Sequence, residues 1–348
     1  MGHLSMQIIA GLSLKNLKPK VWELDSPYYL PGVSGVMVSY ADFSKFPARK
    51  RDAMEQGLHR HLGIPKSVNI YLDNGAFNFL RKGGEVPQEA YQEFVQRARP
   101  DWYPIPQDYI PAPHMSDEEQ IHCLQQTMSM NLNFKHDGFV PVIHISRYLN
   151  EYLRLFQAEG HLTVKQHVAL GGIVPNLLRM SKAMSYDMVL ESLRSVRSEL
   201  ADKQLHVFGI GGTATLHLAT LFKIDSVDST GWRNRAARGI VQLPGRGDRM
   251  VTELGSWRAR GPNNEKIFLL TSFSCPACLN FGFDGLTAGG LDGFCNRATH
   301  NLWVLLNEVK EIETHLTDGN YTAWFESHLQ NSIYLPLIRK AIQLTGLV

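Results

Sequence analysis

Residues 205–228 read LHVFGIGGTATLHLATLFKIDSVD, and this stretch contains the unit that predicts the fold. The apolar run Leu205–Ile210 is typical of a buried strand, Thr213–Phe222 has helical spacing, and Ile224–Val227 is a second short strand. Two such strands with a helix between them indicate a parallel βαβ unit, with Asp228 directly after its second strand.

The same alternation of strand-like and helix-like runs extends along the chain. The predicted strands are Gly32–Tyr40, Val68–Leu72, Trp102–Pro106, Val140–Ile145, Val168–Ile173, Leu205–Ile210, Ile224–Val227 and Ile267–Leu270. The predicted helices are Gln88–Ala98, Ser116–Met128, Ser146–Gln157, Ser185–Asp202, Thr213–Phe222 and Thr299–Ile312, with a capping box at Ser116 and Glu119.

Eight strands separated by helices favour an α/β fold, a TIM (β/α)8 barrel rather than a doubly wound sheet. We expect a catalytic barrel over residues 1–270 and a zinc-binding, helical C-terminal part over 271–348 that completes it.

Composition restricts the class of protein. The chain has 348 residues, with 35 Lys and Arg against 33 Asp and Glu, so its formal net charge is +2. A hydrophobic fraction of 44% and a charged fraction of 20% exclude a disordered chain, a collagen and a disulfide-stapled miniprotein. We expect no membrane span and no secretory signal. Only four cysteines occur, and three lie close together, which fits a metal site in a reducing cytoplasm.

Polar residues follow several predicted strands, where a barrel carries its active site. They are Asp73, Asp108, His144, Gly171 with Gly172, and Asp228. Each alone is compatible with an ordinary turn or cap. Asp73 and Asp228 together are the carboxylates that a double displacement at a sugar carbon requires, one as nucleophile and one as acid/base.

The cysteines suggest a structural metal. Cys275-Pro-Ala-Cys278, Cys295 and His300 supply three thiolates and an imidazole, which is a complete tetrahedral shell for Zn²⁺. The alternative is three small buried thiols and an unrelated histidine.

An arginine-rich segment follows Asp228. Between Gly231 and Arg260 seven arginines face only two acidic residues, a local net charge of +5. Arginine suits bidentate phosphate recognition, and interleaved tryptophans can stack on bases. This pattern predicts nucleic-acid binding, with a solvated basic loop as the alternative. The arginines are Arg233, Arg235, Arg238, Arg246, Arg249, Arg258 and Arg260.

The glycines at 209–212 also satisfy a relaxed dinucleotide fingerprint, with Asp228 downstream. Their place late in a continuous α/β alternation argues instead for backbone that approaches a flat ligand.

Together, these motifs resemble the tRNA-guanine transglycosylase superfamily, over Val68 to Glu308. Asp73-Asn-Gly-Ala-Phe77 is similar to the family's Asp-Ser-Gly-Gly-Phe, whose aspartate is the general acid/base. Asp225-Ser-Val-Asp228 is similar to Asp-x-Phe-Asp, whose second aspartate is the nucleophile. Ala169-Leu-Gly-Gly-Ile173 is similar to the base-binding strand.

The resemblance also implies the remaining site residues. Asp108, His144 and the Gly171–Gly172 backbone would read the base, with His144 in place of a family glutamine, and Phe208 and Phe77 would stack on it. Thr299-His300-Asn301 matches the zinc histidine's motif. The family's first zinc cysteine falls at Phe273, so Cys295 is the candidate for the missing thiolate.

The segment Ser229–Arg238 departs from the family's Pro-Thr-Arg-x-x-Arg, and this pattern looks like the DpdA branch, which places 7-deazaguanine bases such as preQ0 into DNA. The resemblance therefore implies exchange of guanine in DNA through a covalent Asp228–sugar intermediate, with Arg233, Arg235 and Arg238 on phosphates and Zn²⁺ purely structural. The alternatives are a transglycosylase that acts on tRNA and a non-catalytic, zinc-bearing partner subunit. A need for helper proteins and a homodimeric state are left open.

Overall fold

The structure, a computed structural model, describes residues 5–134, 136–255, 260–261, 269–270, 273–330 and 332–347. The chain forms two compact units. The helical unit comprises Met1–Ser34, Gly211–Leu221 and Asp228–Val348, and the strand unit comprises Gly35–Ile210 and Phe222–Val227. The predicted division at residue 270 stays a prediction.

Strands and helices alternate as the sequence predicts. The strands are β1 Gln7–Gly11, β2 Gly35–Ser39, β3 Asn69–Asp73, β4 Val142–His144, β5 His167–Gly171, β6 Gln204–Val207, β7 Ser226–Ser229, β8 Ile240–Leu243 and β9 Gly247–Met250. The helices are α1 Tyr40–Lys45, α2 Pro47–Gln56, α3 Leu58–Leu62, α4 Ala76–Leu80, α5 Gln88–Ala98, α6 Asp117–Asn133, α7 Leu149–Ala158, α8 Gly160–Thr163, α9 Ile173–Leu177, α10 Tyr186–Glu199, α11 Thr213–Leu221, α12 Gly231–Ala237, α13 Pro276–Thr287, α14 Gly290–Thr317, α15 Tyr321–His328 and α16 Leu335–Thr345.

The strand unit is built on parallel pairing in chain order. β2 pairs with β3, β4 with β5, β5 with β6, and β6 with the first residues of β7, all in parallel. Between β3 and β4, Trp102 and Pro104 make isolated parallel bridges to Tyr71 and Val140. This succession of parallel strands with helices between them is an α/β architecture that fits a TIM-like fold.

The buried strands explain why the sequence signal is an apolar run rather than an alternating one. Ile70, Leu72 and Val142 are fully buried, as are both Val168 and Leu170. Strands covered on both faces need apolar side chains at every position. Each such side chain stabilises the fold by about 1.5–3 kcal/mol on burial.

The helices around the strands bury one stripe each. In α5 the buried residues are Tyr91, Phe94, Val95 and Ala98, which recur at the spacing of one helical face. In α6 the predicted capping box is confirmed, because Ser116 accepts from the Glu119 amide and Glu119 accepts from the Ser116 amide.

The helical unit contains β1, the antiparallel hairpin of β8 and β9, and the helices α11 to α16. Its long helix α14 carries Arg297, which is fully buried. The guanidinium of Arg297 donates to the carbonyls of Ala236, Leu286 and Ala288 and so ties α14 to the ends of α12 and α13.

Two predicted strands differ from the structure, and the structure has strands that the sequence did not predict. Trp102–Pro106 makes bridges instead of a regular strand, since Pro104 and Pro106 have no amide hydrogen to donate. The predicted strand Ile267–Leu270 lies partly outside the described residues, and its last two residues are helical. The buried strand β1 was not predicted.

Within the described ranges, every helix is too short or too polar to cross a bilayer.

The capping box provides a test of the α6 boundary. We expect Ser116→Ala to lower the free energy of unfolding by about 1 kcal/mol, because the Glu119 amide loses its acceptor. Urea denaturation measures this change. The matched control is Ser129→Ala on the exposed face of the same helix, which should shift stability by less than about 0.5 kcal/mol. Equal effects of the two substitutions would contradict the capping role.

Candidate active site and metal centre

Asp73 is the last residue of β3, and its side chain is held by the neighbouring strand. Ser39, the last residue of β2, is paired in register with Asp73 of β3. The Ser39 hydroxyl donates to Asp73 Oδ2 at 2.8 Å. The hydroxyl fixes one carboxylate oxygen and leaves Asp73 partly exposed. Ser39 was not predicted from the sequence, and only the strand register identifies it.

Asp108 forms a buried polar cluster with two other strand-end residues, Asn74 and His144. Asn74 Nδ2 donates to Asp108 Oδ1 at 2.9 Å, and His144 Nε2 lies 3.2 Å from Asp108 Oδ2. Burial alone would raise the pKa of Asp108, but the contacts from His144 and Asn74 outweigh it and hold the pKa below its usual value. Asp108 is therefore a buried, ionised carboxylate. Asn74 was given no role from the sequence beyond its place in the motif 73–77.

His144 reaches Asp108 because Gly171 leaves room for its ring. A Cβ on Gly171 would lie 2.5 Å from His144 Nδ1, so only glycine is compatible with this ring position. His144 is fully buried, and neither of its ring nitrogens makes a well-aligned hydrogen bond among the described residues, although Nε2 lies 3.2 Å from Asp108 Oδ2. The cluster thus presents the Nδ1 of an imidazole beside the Gly171 backbone.

Two aromatic rings of the strand unit were predicted to stack on a base. Phe208 is half-buried and packs edge-on against His206, with 4.9 Å between ring centroids. Phe77 is 62% exposed, which is unusual for such a large apolar side chain. Their stacking role stays a prediction.

Asp228 belongs to the helical unit and is partly buried at the end of β7. Its carbonyl accepts from the Gly211 amide at 3.2 Å. A Cβ on Gly211 would lie 2.5 Å from the Ser229 Cβ, so this glycine permits close approach of the two loops within the unit. Gly211 of the apparent dinucleotide fingerprint therefore has a packing role at Asp228.

The three arginines after Asp228 have different surroundings. Arg233 is 8% exposed and donates to the carbonyls of Asn16 and Lys18, and burial lowers its pKa to about 10. Arg235 donates to Asp248 at 2.8 Å, and Arg238 is exposed. Arg233 thus has a structural role, and its contact with phosphate remains a prediction. Trp257 and Arg258 lie outside the described residues.

Cys275, Cys278 and His300 converge in the helical unit. His300 Nδ1 lies 3.5 Å from Cys275 Sγ and 3.3 Å from Cys278 Sγ, and all three residues are buried. His300 Nε2 contacts the Gln242 carbonyl at 2.9 Å, which aims Nδ1 at the thiols. The hydrogen bond with Cys278 is the main cause that lowers the pKa of Cys275 to about 5. Thiolates with an oriented imidazole fit Zn²⁺.

The structure does not bring Cys295 into this group, and its predicted part in the shell stays a prediction. Cys295 is buried on α14 but does not join the group of Cys275, Cys278 and His300. Cys295 and His300 are five residues apart on one helix and so point about 140° away from each other. Phe273 packs beside the His300 ring, with 5.6 Å between centroids. The described residues therefore offer three ligands to one ion.

The candidate metal centre gives a test with a matched control. We expect Cys278→Ser to lose one equivalent of bound zinc and to lower the melting temperature, because a structural zinc contributes directly to folding. Cys295→Ser should retain the zinc of the wild-type protein. Elemental analysis and thermal melts of the purified chains measure both effects. Unchanged zinc in Cys278→Ser, or loss in Cys295→Ser, would contradict this ligand set.

Comparison with known proteins gives a consistent set of relatives. No protein-family model matches the sequence. The chain is 25% identical over 286 residues to a tRNA-guanine(15) transglycosylase of Thermococcus onnurineus, 79% of this chain and 44% of the relative. It is 26% identical over 280 residues to that of Methanocaldococcus jannaschii, 77% of this chain and 40% of the relative. The chain thus spans less than half the length of these relatives. Over most of its length the chain is therefore similar to part of the tRNA-guanine(15) transglycosylases.

Proposed function

We propose that this protein is a guanine transglycosylase, a pentosyltransferase that exchanges a base in a nucleic acid. The observation that carries the proposal is the buried cluster of Asp108, Asn74 and His144 beside Gly171. It offers a carboxylate, an imidazole and a glycine backbone at the carboxyl ends of parallel strands, where this class of fold carries its sites. The relatives named as transglycosylases support the reaction class.

The cluster is suited to a guanine edge. The Asp108 carboxylate retains acceptor capacity beyond its contacts with Asn74 and His144, and it can accept N–H groups of the base. The Nδ1 of His144, which lies beside Gly171, would donate to the carbonyl oxygen of the base. His144 would in this way serve as the donor that the family's glutamine amide supplies. Phe208 and Phe77 would cover the faces of the base.

The two remaining carboxylates account for the chemistry. A base reaches the cluster only after it leaves the helical stack, at a free-energy cost of a few kcal/mol. Asp228 attacks the anomeric carbon, the glycosidic bond breaks, and Asp73 gives its proton to the departing guanine. Asp73 then takes a proton from the incoming base, which attacks the same carbon and releases the Asp228 carboxylate. Two displacements retain the configuration.

Zinc has a structural part in this proposal. Cys275, Cys278 and His300 would hold the ion, which supplies cross-linking of the C-terminal helices when it is bound. No step of the exchange depends on it.

The nucleic acid is the finer part of the proposal. The relatives are tRNA enzymes by name, which favours tRNA for this chain. DNA, with a 7-deazaguanine such as preQ0 as the incoming base, is the second candidate. The DNA candidate is favoured by the segment Ser229–Arg238, which departs from the family's Pro-Thr-Arg-x-x-Arg. In this segment Arg233 is buried and Arg238 is exposed.

The carboxylate roles predict different defects. Asp228→Asn should abolish exchange and the covalent protein–nucleic acid adduct, because no nucleophile remains. Asp73→Asn should slow exchange by about 10²–10⁴-fold, which is typical for loss of a general acid/base. Denaturing gels and label incorporation measure the two effects. Asp202→Asn, at an exposed carboxylate, is the control and should behave as wild type. An adduct that persists in Asp228→Asn would contradict its role as nucleophile.

The substrate is identified by a parallel assay. We expect labelled guanine to enter tRNA when the purified protein is incubated separately with tRNA, duplex DNA and single-stranded DNA. Incorporation only into DNA would instead establish the second candidate. Mass spectrometry of digested nucleic acid after incubation with preQ0 tests the 7-deazaguanine donor. Absence of exchange with either base and every nucleic acid would contradict the proposal and favour the non-catalytic partner.

A further inference from the structure

We propose that His217, Glu308 and His328 form a second metal site, separate from the cysteine cluster and suited to Zn²⁺. The three residues come from α11, α14 and the end of α15, all within the helical unit. His217 Nε2 lies 3.1 Å from Glu308 Oε1, and His328 Nε2 lies 2.5 Å from the same oxygen. The three donor atoms lie within 4.8 Å of one another. Two imidazoles and a carboxylate are an established ligand set for zinc.

The charge state of the cluster suits a cation. Glu308 is 1% exposed, and its Oε2 has no hydrogen-bond partner among the described residues. Burial alone would raise the pKa of Glu308, but the contacts with His217 and His328 hold it below its usual value. Burial is also the main cause that lowers the pKa of His217. A buried carboxylate that has one oxygen unpartnered among the described residues and lies beside two imidazoles is suited to a cation.

The surrounding residues hold both rings in place. Tyr321 Oη lies 2.7 Å from His217 Nδ1, which orients Nε2 towards Glu308. Trp324 stacks on His217 and on His328, with 5.6 and 4.3 Å between ring centroids. A Cβ on Gly245 would lie 2.7 Å from His328 Nε2. The β8–β9 turn therefore packs closely against this ring, and the glycine leaves room for it. Such outer contacts are typical of metal-binding histidines.

The proposed site reaches the surface at one side. His328 is 14% exposed, whereas the side chains of His217 and Glu308 are fully buried. The fourth ligand of a bound Zn²⁺ would be either the second carboxylate oxygen of Glu308 or a water molecule that enters beside His328. The competing explanation is a proton, since an imidazolium at His328 would also compensate the carboxylate.

Metal stoichiometry separates these explanations. The full-length chain is stripped with a chelator, reloaded with Zn²⁺, desalted and analysed for metal. We expect His328→Ala to bind one equivalent less than the wild-type protein, and His328→Gln to behave in the same way. His315→Ala is the matched control. His315 also stacks on Trp324, but it does not belong to the group formed by His217, Glu308 and His328. It should bind as much zinc as wild type.

Cobalt distinguishes this site from the thiolate site. In the Cys275→Ser, Cys278→Ser double variant, bound Co²⁺ should show ligand-field absorption without a thiolate charge-transfer band, and the further change His328→Ala should remove that absorption. Circular dichroism confirms that each variant folds. Equal zinc content in wild type, His328→Ala and His328→Gln would overturn the proposal and assign the cluster to a shared proton.

Discussion

A carboxylate removed from water must be compensated by donors from other parts of the chain, and this constraint shapes both units of the protein. Asp108 is 7% exposed, and its partners Asn74 and His144 come from the ends of β3 and β4. An uncompensated carboxylate at this depth would be strongly destabilising. Parallel pairing satisfies the constraint, because it brings the carboxyl ends of successive strands to one edge. The geometry that stabilises the strand unit is therefore the same geometry that forms the candidate base-binding site.

The same constraint operates in the helical unit with different partners. Glu308 is compensated by two imidazoles, and the Cys275 thiol by the Cys278 thiol and the His300 ring. Both clusters join α14 to other elements of the unit. Arg297 and Arg233 show the converse case, in which buried cations are satisfied by backbone carbonyls. Charge compensation rather than apolar packing alone thus specifies how the helices of this unit are arranged.

The sequence predicted much of the fold because its signals are local. A buried parallel strand leaves an apolar run, an amphipathic helix leaves a stripe, and the capping box at Ser116 is complete within four residues. The strand ends, and with them Asp73, Asp108 and His144, follow from those runs. The failures were equally physical. Trp102–Pro106 has the composition of a strand, but its prolines have no amide hydrogens for a ladder.

The α/β class, most strand and helix positions, and the residue types available for chemistry can all be read from the sequence. Which of those residues meet depends on long-range packing. It joined Ser39 to Asp73 through strand register, set Arg233 on the carbonyls of Asn16 and Lys18, and separated Cys295 from the other cysteines. It also brought His217, Glu308 and His328 together from three helices. The reason is that side-chain contacts depend on register and helix rotation over long sequence separations, whereas secondary structure depends on neighbouring residues.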